Sequence, residues 1–172
     1  LIQSKLKPKK APQIIVNSLL LHGSKKKVLL SFFLLYVSFQ ILFPFRYLCY
    51  PEKLFWTEQG YRFSWRVMLI EKAGSATFFV TDSSTGKRGE VDNSQFLTPT
   101  QEKMMATQPD LILQYAHILK QEVESRGLIN PIINAEVYVT LNGSKSKLFI
   151  DPDVNLVELK DGWQPKNWIL DF

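Results

Sequence analysis

Cysteine and histidine are scarce in this sequence of 172 residues, which contains one cysteine and two histidines. The single cysteine, Cys49, excludes an intrachain disulfide and a cysteine-rich metal site. Metalloprotease, Cys-x-x-Cys, phosphate-loop and nucleophile-elbow spacings are all absent around His22 and His117. We interpret Cys49 as a small apolar residue and His117 as an ordinary helix residue. The chain taken alone therefore shows no self-sufficient active site.

Acidic residues are missing from positions 1–27, which hold seven lysines. Residues 28–172 carry 14 basic and 16 acidic side chains, so the formal net charge of +5 is a property of the N-terminal segment. Binding to nucleic acid would require Lys and Arg along one face of a folded element. We therefore expect no nucleic-acid partner.

Charge is also absent from residues 28–45, a strongly apolar run that ends just before Arg46. A helix of this length rises about 27 Å, close to the thickness of the bilayer hydrocarbon. We predict a transmembrane helix over residues 28–46, with its end broken or kinked at Pro44. A buried core helix or a hydrophobic strand is the alternative, because three polar side chains interrupt the run.

The residues on either side of this run favour a transmembrane helix over a buried core helix and indicate its orientation in the membrane. Three aromatic residues follow it, at the place where amphipathic rings prefer the bilayer interface: Tyr47, Tyr50 and Trp56. Lysines precede it, and the positive-inside tendency keeps residues 1–27 in the cytoplasm. We expect an integral protein of a bacterial inner membrane, with residues 47–60 as an interfacial linker and residues 61–172 as an exported, periplasmic domain.

The exported part begins with strand signals. Apolar residues alternate with polar ones over 61–71, which predicts a strand with one buried face. Residues 72–75 give a turn signal, and residues 76–82 are rich in β-formers. The pattern predicts a hairpin of 61–71 with 76–82, followed by a short strand around 89–93.

Helical signals follow. Thr98-Pro99 is a good helix start, Pro109-Asp110 restarts the helix, and apolar residues recur at helical spacing over 110–126 before Gly127. These features predict an amphipathic helical insertion.

Strand signals then return. Residues 135–141 alternate, Asn142-Gly143 is a strong hairpin turn, and residues 147–151 are expected to pair back. We expect 154–159 and 167–170 to complete the sheet. The predicted fold class is α+β: one transmembrane helix followed by a mainly antiparallel, sandwich-like β domain with a helical insertion.

Two groups of side chains are candidates for a site. Asp151 and Asp153 bring oxygen donors close together and either bind a divalent cation or end a strand in a turn, and we favour the turn. Tyr61, Ser64 and Trp65 form the second group. They either belong to an ordinary half-buried strand or border a site near the membrane surface, where a substrate dissolved in lipid would meet a polar domain.

Four stretches carry a resemblance in order and spacing: residues 43–74, 91–117, 137–144 and 148–156. They are similar to the C-terminal half of bacterial membrane proteins of the vitamin K-dependent γ-glutamyl carboxylase family, also called horizontally transferred transmembrane domain (HTTM) proteins. Animal carboxylases carry a Tyr-x-Tyr-Ser-Trp element where this chain has residues 61–65, and a Phe-Asp-Pro-x-Val-Asp element within the stretch 149–155, where its last five positions correspond to 151–155. Here Phe63 replaces the second tyrosine and Asn155 the last aspartate.

The resemblance implies a lyase in which oxygenation of reduced vitamin K or menaquinol drives removal of a glutamate γ-proton, so that the carbanion takes up CO2. The implied substrate is a glutamate-containing peptide or protein. The family's lysine base and assisting histidine belong to an upstream transmembrane bundle, which none of the lysines at 5–27 matches. Tyr61, supported by Ser64 and Trp65, is the only family site residue that the match carries over.

The chain begins with Leu1 rather than Met, and we expect a piece of a longer protein, inactive without that bundle. Its partners would be the lipid bilayer, the bundle and the substrate. Two alternatives stay open: a membrane-anchored periplasmic binding or assembly module without activity, and a related membrane enzyme that uses another quinone or a lipid.

Overall fold

The computed structural model describes residues 23–66 and 68–172. Most of the basic segment predicted at 1–27, and Val67 of the predicted first strand, lie outside the described residues. The chain divides into two units at Phe39 and Gln40.

The described part of the first unit is helical. Helix α1 spans Gly23–Leu42 and buries none of its side chains. It continues as a 3₁₀ helix over Phe43–Cys49, with Pro44 at its start. This confirms a helix over the apolar run and a break at Pro44. Together the two segments are long and apolar enough to cross a membrane, as judged by length and composition.

The second unit contains one four-stranded antiparallel sheet. Its strands are β1 (Lys72–Thr81), β2 (Arg88–Glu90), β3 (Ile132–Leu141) and β4 (Lys147–Leu148), in the spatial order β2-β1-β3-β4. The predicted α+β class is confirmed. Residues 23–66 and 68–172 contain one sheet, and helices pack on it. The layer against the sheet is therefore made of helices, where a sandwich would have a second sheet.

Helices α3 (Pro99–Met105) and α4 (Pro109–Ser125) form that layer, and both begin where predicted. Thr98 caps α3 through a reciprocal capping box with Gln101. The core lies between α4 and the face of β1 and β3 that carries alternate apolar residues. Each fully buried side chain there stabilises the fold by about 1.5–3 kcal/mol. The largest are Phe78, Ile112, Leu113, Tyr115, Leu119, Ile133, Val137 and Val139.

The hairpin of β3 and β4 is also confirmed. Asn142 and Gly143 have φ values of 49° and 76°, the left-handed conformations that a tight two-residue turn needs. The pairing back is shorter than predicted, since only Lys147 and Leu148 join the sheet as a strand.

The predicted hairpin of 61–71 with 76–82 is wrong. Residues 61–65 form turns and bends, and β1 runs through the predicted turn at 72–75. Its partner is β3, paired from Lys72 with Leu141 to Thr81 with Ile132. Left-handed φ values at Phe63, Trp65 and Met68 explain the failure, because an extended strand cannot contain them.

The last predicted strand pair is wrong as well. Residues Leu156–Glu158 form a 3₁₀ helix. Ile169 makes one isolated bridge with Ile150, so the C-terminal segment pairs with the chain after β4 instead of with 154–159. The short predicted strand around 89–93 is present as β2, at one edge of the sheet.

Candidate functional site

The residues between the 3₁₀ helix Phe43–Cys49 and β1 are anchored at both ends. A short helix, α2 (Leu54–Thr57), fixes the near end because Trp56 is buried and its indole N–H donates to the carbonyl of Leu170 at 2.6 Å. At the far end, the backbone N–H of Glu71 donates to the side-chain oxygen of Asn142 at 2.8 Å. We call residues 58–66 and 68–71 the junction loop.

The junction loop stores backbone strain. Gly60 has φ 77°, and a Cβ at this position would lie 2.7 Å from the Tyr47 Cα, so only glycine fits. Glu58, Phe63 and Trp65 also have left-handed φ values. Each non-glycine residue in this region costs about 1–3 kcal/mol and persists only where surrounding contacts hold it. Strain of this kind is common at functional sites.

Of the predicted site residues, Tyr61 and Ser64 lie together and Trp65 points elsewhere. The Ser64 hydroxyl is buried and donates to the Tyr61 carbonyl, and the Tyr61 ring makes an edge contact with Phe55 at 6.2 Å. Trp65 is 68% exposed and contacts Phe45 at 6.3 Å. Ser64 can therefore fix the backbone of Tyr61, whereas Trp65 forms part of the exposed apolar surface. The catalytic role of all three stays a prediction.

Tyr61 lines a cavity of about 260 Å³, which we call the junction pocket. Its other lining residues come from the junction loop, the start of β1 and the segment before α4: Glu58, Met68, Ile70, Lys72, Thr107 and Gln108. A phenol, a carboxylate and an ammonium thus surround one space with two apolar side chains. Such a set can bind a head group that is polar at one edge and apolar on its face.

Lys72 is the unusual member of the junction pocket. Its side chain is only 4% exposed. The ammonium donates to the Trp56 carbonyl at 2.6 Å and to a Glu58 carboxylate oxygen at 2.7 Å. Burial lowers the pKa of Lys72, while the charge and hydrogen bond of Glu58 oppose that shift. Lys72 therefore links α2, the junction loop and the sheet.

The sequence reasoning missed Lys72 and Glu58. The turn signal at 72–75 assigns Lys72 to a turn, but the alternation of Phe78 and Ala76, continued backwards along β1, puts it on the buried face. That signal was present in the sequence. Glu58 carried no comparable local signal, because its pairing depends on the left-handed turn at the start of the junction loop.

The two arginines of the junction loop are held by the protein. Arg62 pairs with Asp110 at 2.6 Å, at the start of α4. The guanidinium of Arg66 lies 4.0 Å from the centre of the Tyr47 ring. Both therefore help to hold the junction loop against neighbouring elements.

Asp151 and Asp153 form a turn, as favoured. The Asp151 carboxylate accepts from the backbone N–H of Asp153 at 3.0 Å. No group of three or more His, Cys, Asp or Glu side chains that could hold a metal occurs among the described residues. A ring nitrogen of His117 lies 2.9 Å from the Leu159 carbonyl oxygen. This hydrogen bond connects α4 to the end of the 3₁₀ helix Leu156–Glu158.

Comparison with known proteins assigns the family. The family model described as "Vitamin K-dependent gamma-carboxylase, lumenal domain" matches residues 25–172. The chain belongs to this family. No solved structure matches the chain. The gamma-carboxylase match includes the apolar helix as well as the sheet domain, and the two findings together indicate a membrane protein.

Of the two departures from the animal gamma-carboxylase motifs, the one at Asn155 has a local explanation. The Asn155 side chain accepts from the Ile133 backbone N–H at 3.1 Å and donates to Glu158 at 2.9 Å. An aspartate would retain the first bond but place a second negative charge beside Glu158. Phe63 is 74% exposed and lies on the surface of the junction loop. The Asn155 difference therefore reflects local pairing.

Proposed function

We propose that this chain is the last membrane helix and the exported domain of a quinol-dependent, γ-glutamyl carboxylase-like membrane enzyme. The observation that carries the proposal is the family match over residues 25–172 combined with the position of Tyr61, in a pocket with the buried Lys72–Glu58 pair. The upstream bundle would supply the general base, so the chain would be inactive alone.

The junction pocket fits one wall of a quinol head-group site. A quinol has two ring hydroxyls on an apolar ring, and the pocket offers polar Tyr61 and Glu58 next to apolar Met68 and Ile70. The cofactor, reduced vitamin K or menaquinol, would supply the strong base on oxygenation. The residues of this chain would bind and orient: Tyr61 would donate a hydrogen bond into the pocket, and Ser64 would fix its backbone.

A glutamate-containing peptide is the proposed substrate. Lys72 supports this role because a buried ammonium next to Tyr61 favours a carboxylate nearby, even though Glu58 already neutralises part of its charge. The start of β1 and the segment before α4, which line the junction pocket, would hold the peptide over it.

The direct test is Tyr61→Phe in the full-length protein. We expect loss of one hydrogen-bond donor to reduce quinol-dependent incorporation of CO2 into a glutamyl peptide about tenfold or more. Tyr138→Phe is the matched control, since Tyr138 is 45% exposed on the sheet. Equal carboxylation and quinol epoxidation in Tyr61→Phe and the unmodified protein would refute the role of Tyr61.

The rival functions separate on two observations. If the gene upstream of Leu1 encodes no further spans with an intramembrane lysine and histidine, the enzyme proposal fails and a binding or assembly module is favoured. If those spans exist but quinol oxidation proceeds without CO2 incorporation, a different quinol- or lipid-dependent enzyme is favoured.

We also propose that the protein lies in a bacterial inner membrane, with its basic N-terminal side in the cytoplasm and the sheet domain in the periplasm. The lysines before α1 and the lumenal family support this orientation. A reporter fused after Phe172 should be active only outside the cytoplasm, and a cytoplasmic signal would reverse the orientation.

A further inference from the structure

A second cavity lies beside the junction pocket and is lined by more charged residues. It has a volume of about 300 Å³, and we call it the arginine cavity. Six charged residues line it: Arg46, Glu58, Arg62, Asp110, Asp161 and Lys166. Residues of the 3₁₀ helix, the junction loop, the start of α4 and the C-terminal segment therefore converge here.

Every carboxylate of the arginine cavity already has a cationic partner. Asp110 pairs with Arg62 at 2.6 Å, and Asp161 pairs with Lys166 at 2.5 Å. Glu58 pairs with Lys72, which lies on the side of the junction pocket. Within residues 23–66 and 68–172, Arg46 has neither an ion pair nor a hydrogen bond from its guanidinium. Among the described residues that line the cavity, Arg46 is thus the one cation without an ion-pair partner.

Aromatic rings hold the Arg46 guanidinium in place. Its central carbon lies 4.6 Å from the centre of the Phe43 ring, 5.5 Å from that of Trp163 and 5.9 Å from that of Phe63. Rings bind the face of a guanidinium and leave its N–H donors, which lie in its plane, available to a ligand. Arg46 is therefore a fixed, planar set of donors that lines an open cavity.

The position of Arg46 in the chain indicates which anion it meets. It is the first charged residue after the apolar run of 28–45, and Leu48, Phe63 and Trp163, each at least 71% exposed, are near it in sequence or in space. Residues directly after a membrane span lie at the level of the phospholipid head groups. A phosphodiester carries one negative charge and accepts the paired donors of a guanidinium.

From these observations we propose that the arginine cavity binds the phosphate of a membrane phospholipid, with Arg46 as its ligand. The bound phosphate would give Arg46 an anionic partner and fix the 3₁₀ helix of Phe43–Cys49 and the junction loop at the bilayer surface. The inference depends on insertion of the apolar helix and is independent of the carboxylase chemistry. The two proposals can therefore fail separately.

Native mass spectrometry of the full chain in mild detergent tests this inference, with dioleoylphosphatidylglycerol as the added lipid. Arg46→Gln should weaken retention of the bound lipid about tenfold, since a hydrogen-bonded charge is lost. Arg46→Lys keeps the charge but loses the fork and the aromatic stacking, and should give an intermediate loss. Circular dichroism establishes whether each variant is folded. If Arg46→Gln does not fold, the lipid retention of Arg46→Lys decides the test.

Two controls isolate the site from general charge effects. Arg88→Gln removes an arginine that stacks on Phe79 at 3.9 Å at the sheet edge, and should leave lipid retention unchanged. Lys27→Gln removes a charge on the other flank of the apolar run, and should change retention no more than about twofold. Equal loss in Arg46→Gln and Lys27→Gln would overturn the proposal.

Competition identifies the ligand class. Inorganic phosphate and a glutamyl peptide, added at the lipid concentration, should not displace the lipid. Displacement by phosphate would make the cavity a general anion site, and displacement by the peptide would make Arg46 a substrate contact. Either result would overturn the assignment to a phospholipid.

Discussion

The sheet core and the junction loop carry the same apolar alternation in sequence but fold differently. β1 and β3 pair over ten positions, and their inward side chains pack on α4. The junction loop alternates just as regularly, yet it forms turns and leaves Phe63 and Trp65 exposed. Alternation therefore predicts a strand only where a partner strand can take up its backbone hydrogen bonds.

The largest expected effect compares two phenylalanines, one from each region. Phe78 is fully buried and packs edge-on against Tyr115 at 4.9 Å, so Phe78→Ala should lower the free energy of unfolding by about 3–5 kcal/mol. Phe63→Ala should lower it by no more than about 0.5 kcal/mol, because the ring is 74% exposed. Denaturant unfolding in detergent measures both. Similar losses in the two variants would show that the junction loop is as tightly packed as the core.

A region could be predicted from the sequence where the residues that determine its backbone conformation are close together in the chain. Thr98, Pro99, Asn142 and Gly143 act through their own backbone geometry, so the α3 cap and the β3–β4 turn were found. The left-handed turns of the junction loop depend on contacts remote in sequence, as where Gly60 meets Tyr47. No short window of sequence contains that information.

The residues of the candidate site divide in the same way, into those that a local signal predicts and those whose contacts are remote in sequence. Tyr61 and Ser64 came from a motif and do lie together. The pairing of Lys72 with Glu58 joins a strand to a turn, so it became visible only once the real start of β1 was known. Of the rings around Arg46, Phe43 is three residues away in sequence, whereas Trp163 lies far along the chain and no local pattern shows it.

A prediction of intermediate size compares two ion pairs of nearly equal length. Lys72 and Glu58 are 2.7 Å apart with the lysine buried, whereas Arg62 and Asp110 are 2.6 Å apart with the arginine 66% exposed. Lys72→Met should cost about 2 kcal/mol of unfolding free energy, because it also leaves the Trp56 carbonyl without its donor. Arg62→Met should cost less than about 1 kcal/mol.

The same unfolding measurements test that comparison, and added salt sharpens it. Salt should reduce the contribution of the exposed Arg62 pair and leave that of the buried Lys72 pair nearly unchanged. Equal costs for the two variants would mean that Lys72 is solvated in solution and does not anchor the junction loop.

The prediction with the smallest expected effect concerns Asp82, a carboxylate in the sheet region whose side-chain hydrogen bonds are all local. Asp82, at the end of β1, accepts hydrogen bonds from Ser84 and Thr85. These bonds lower the pKa of Asp82 to about 2, from 3.8. Its folded pKa is thus below its unfolded one, and the stability it contributes is fully present above pH 3.8 and lost as the pH falls through about 2. The advantage of the unmodified protein over Asp82→Asn should therefore shrink across that window. A difference that stays constant from pH 5 to pH 2 would contradict this account, and would mean that the turn is held mainly by its other contacts, such as the hydrogen bonds from the Ser83 hydroxyl to the carbonyls of Ile129 and Asn130.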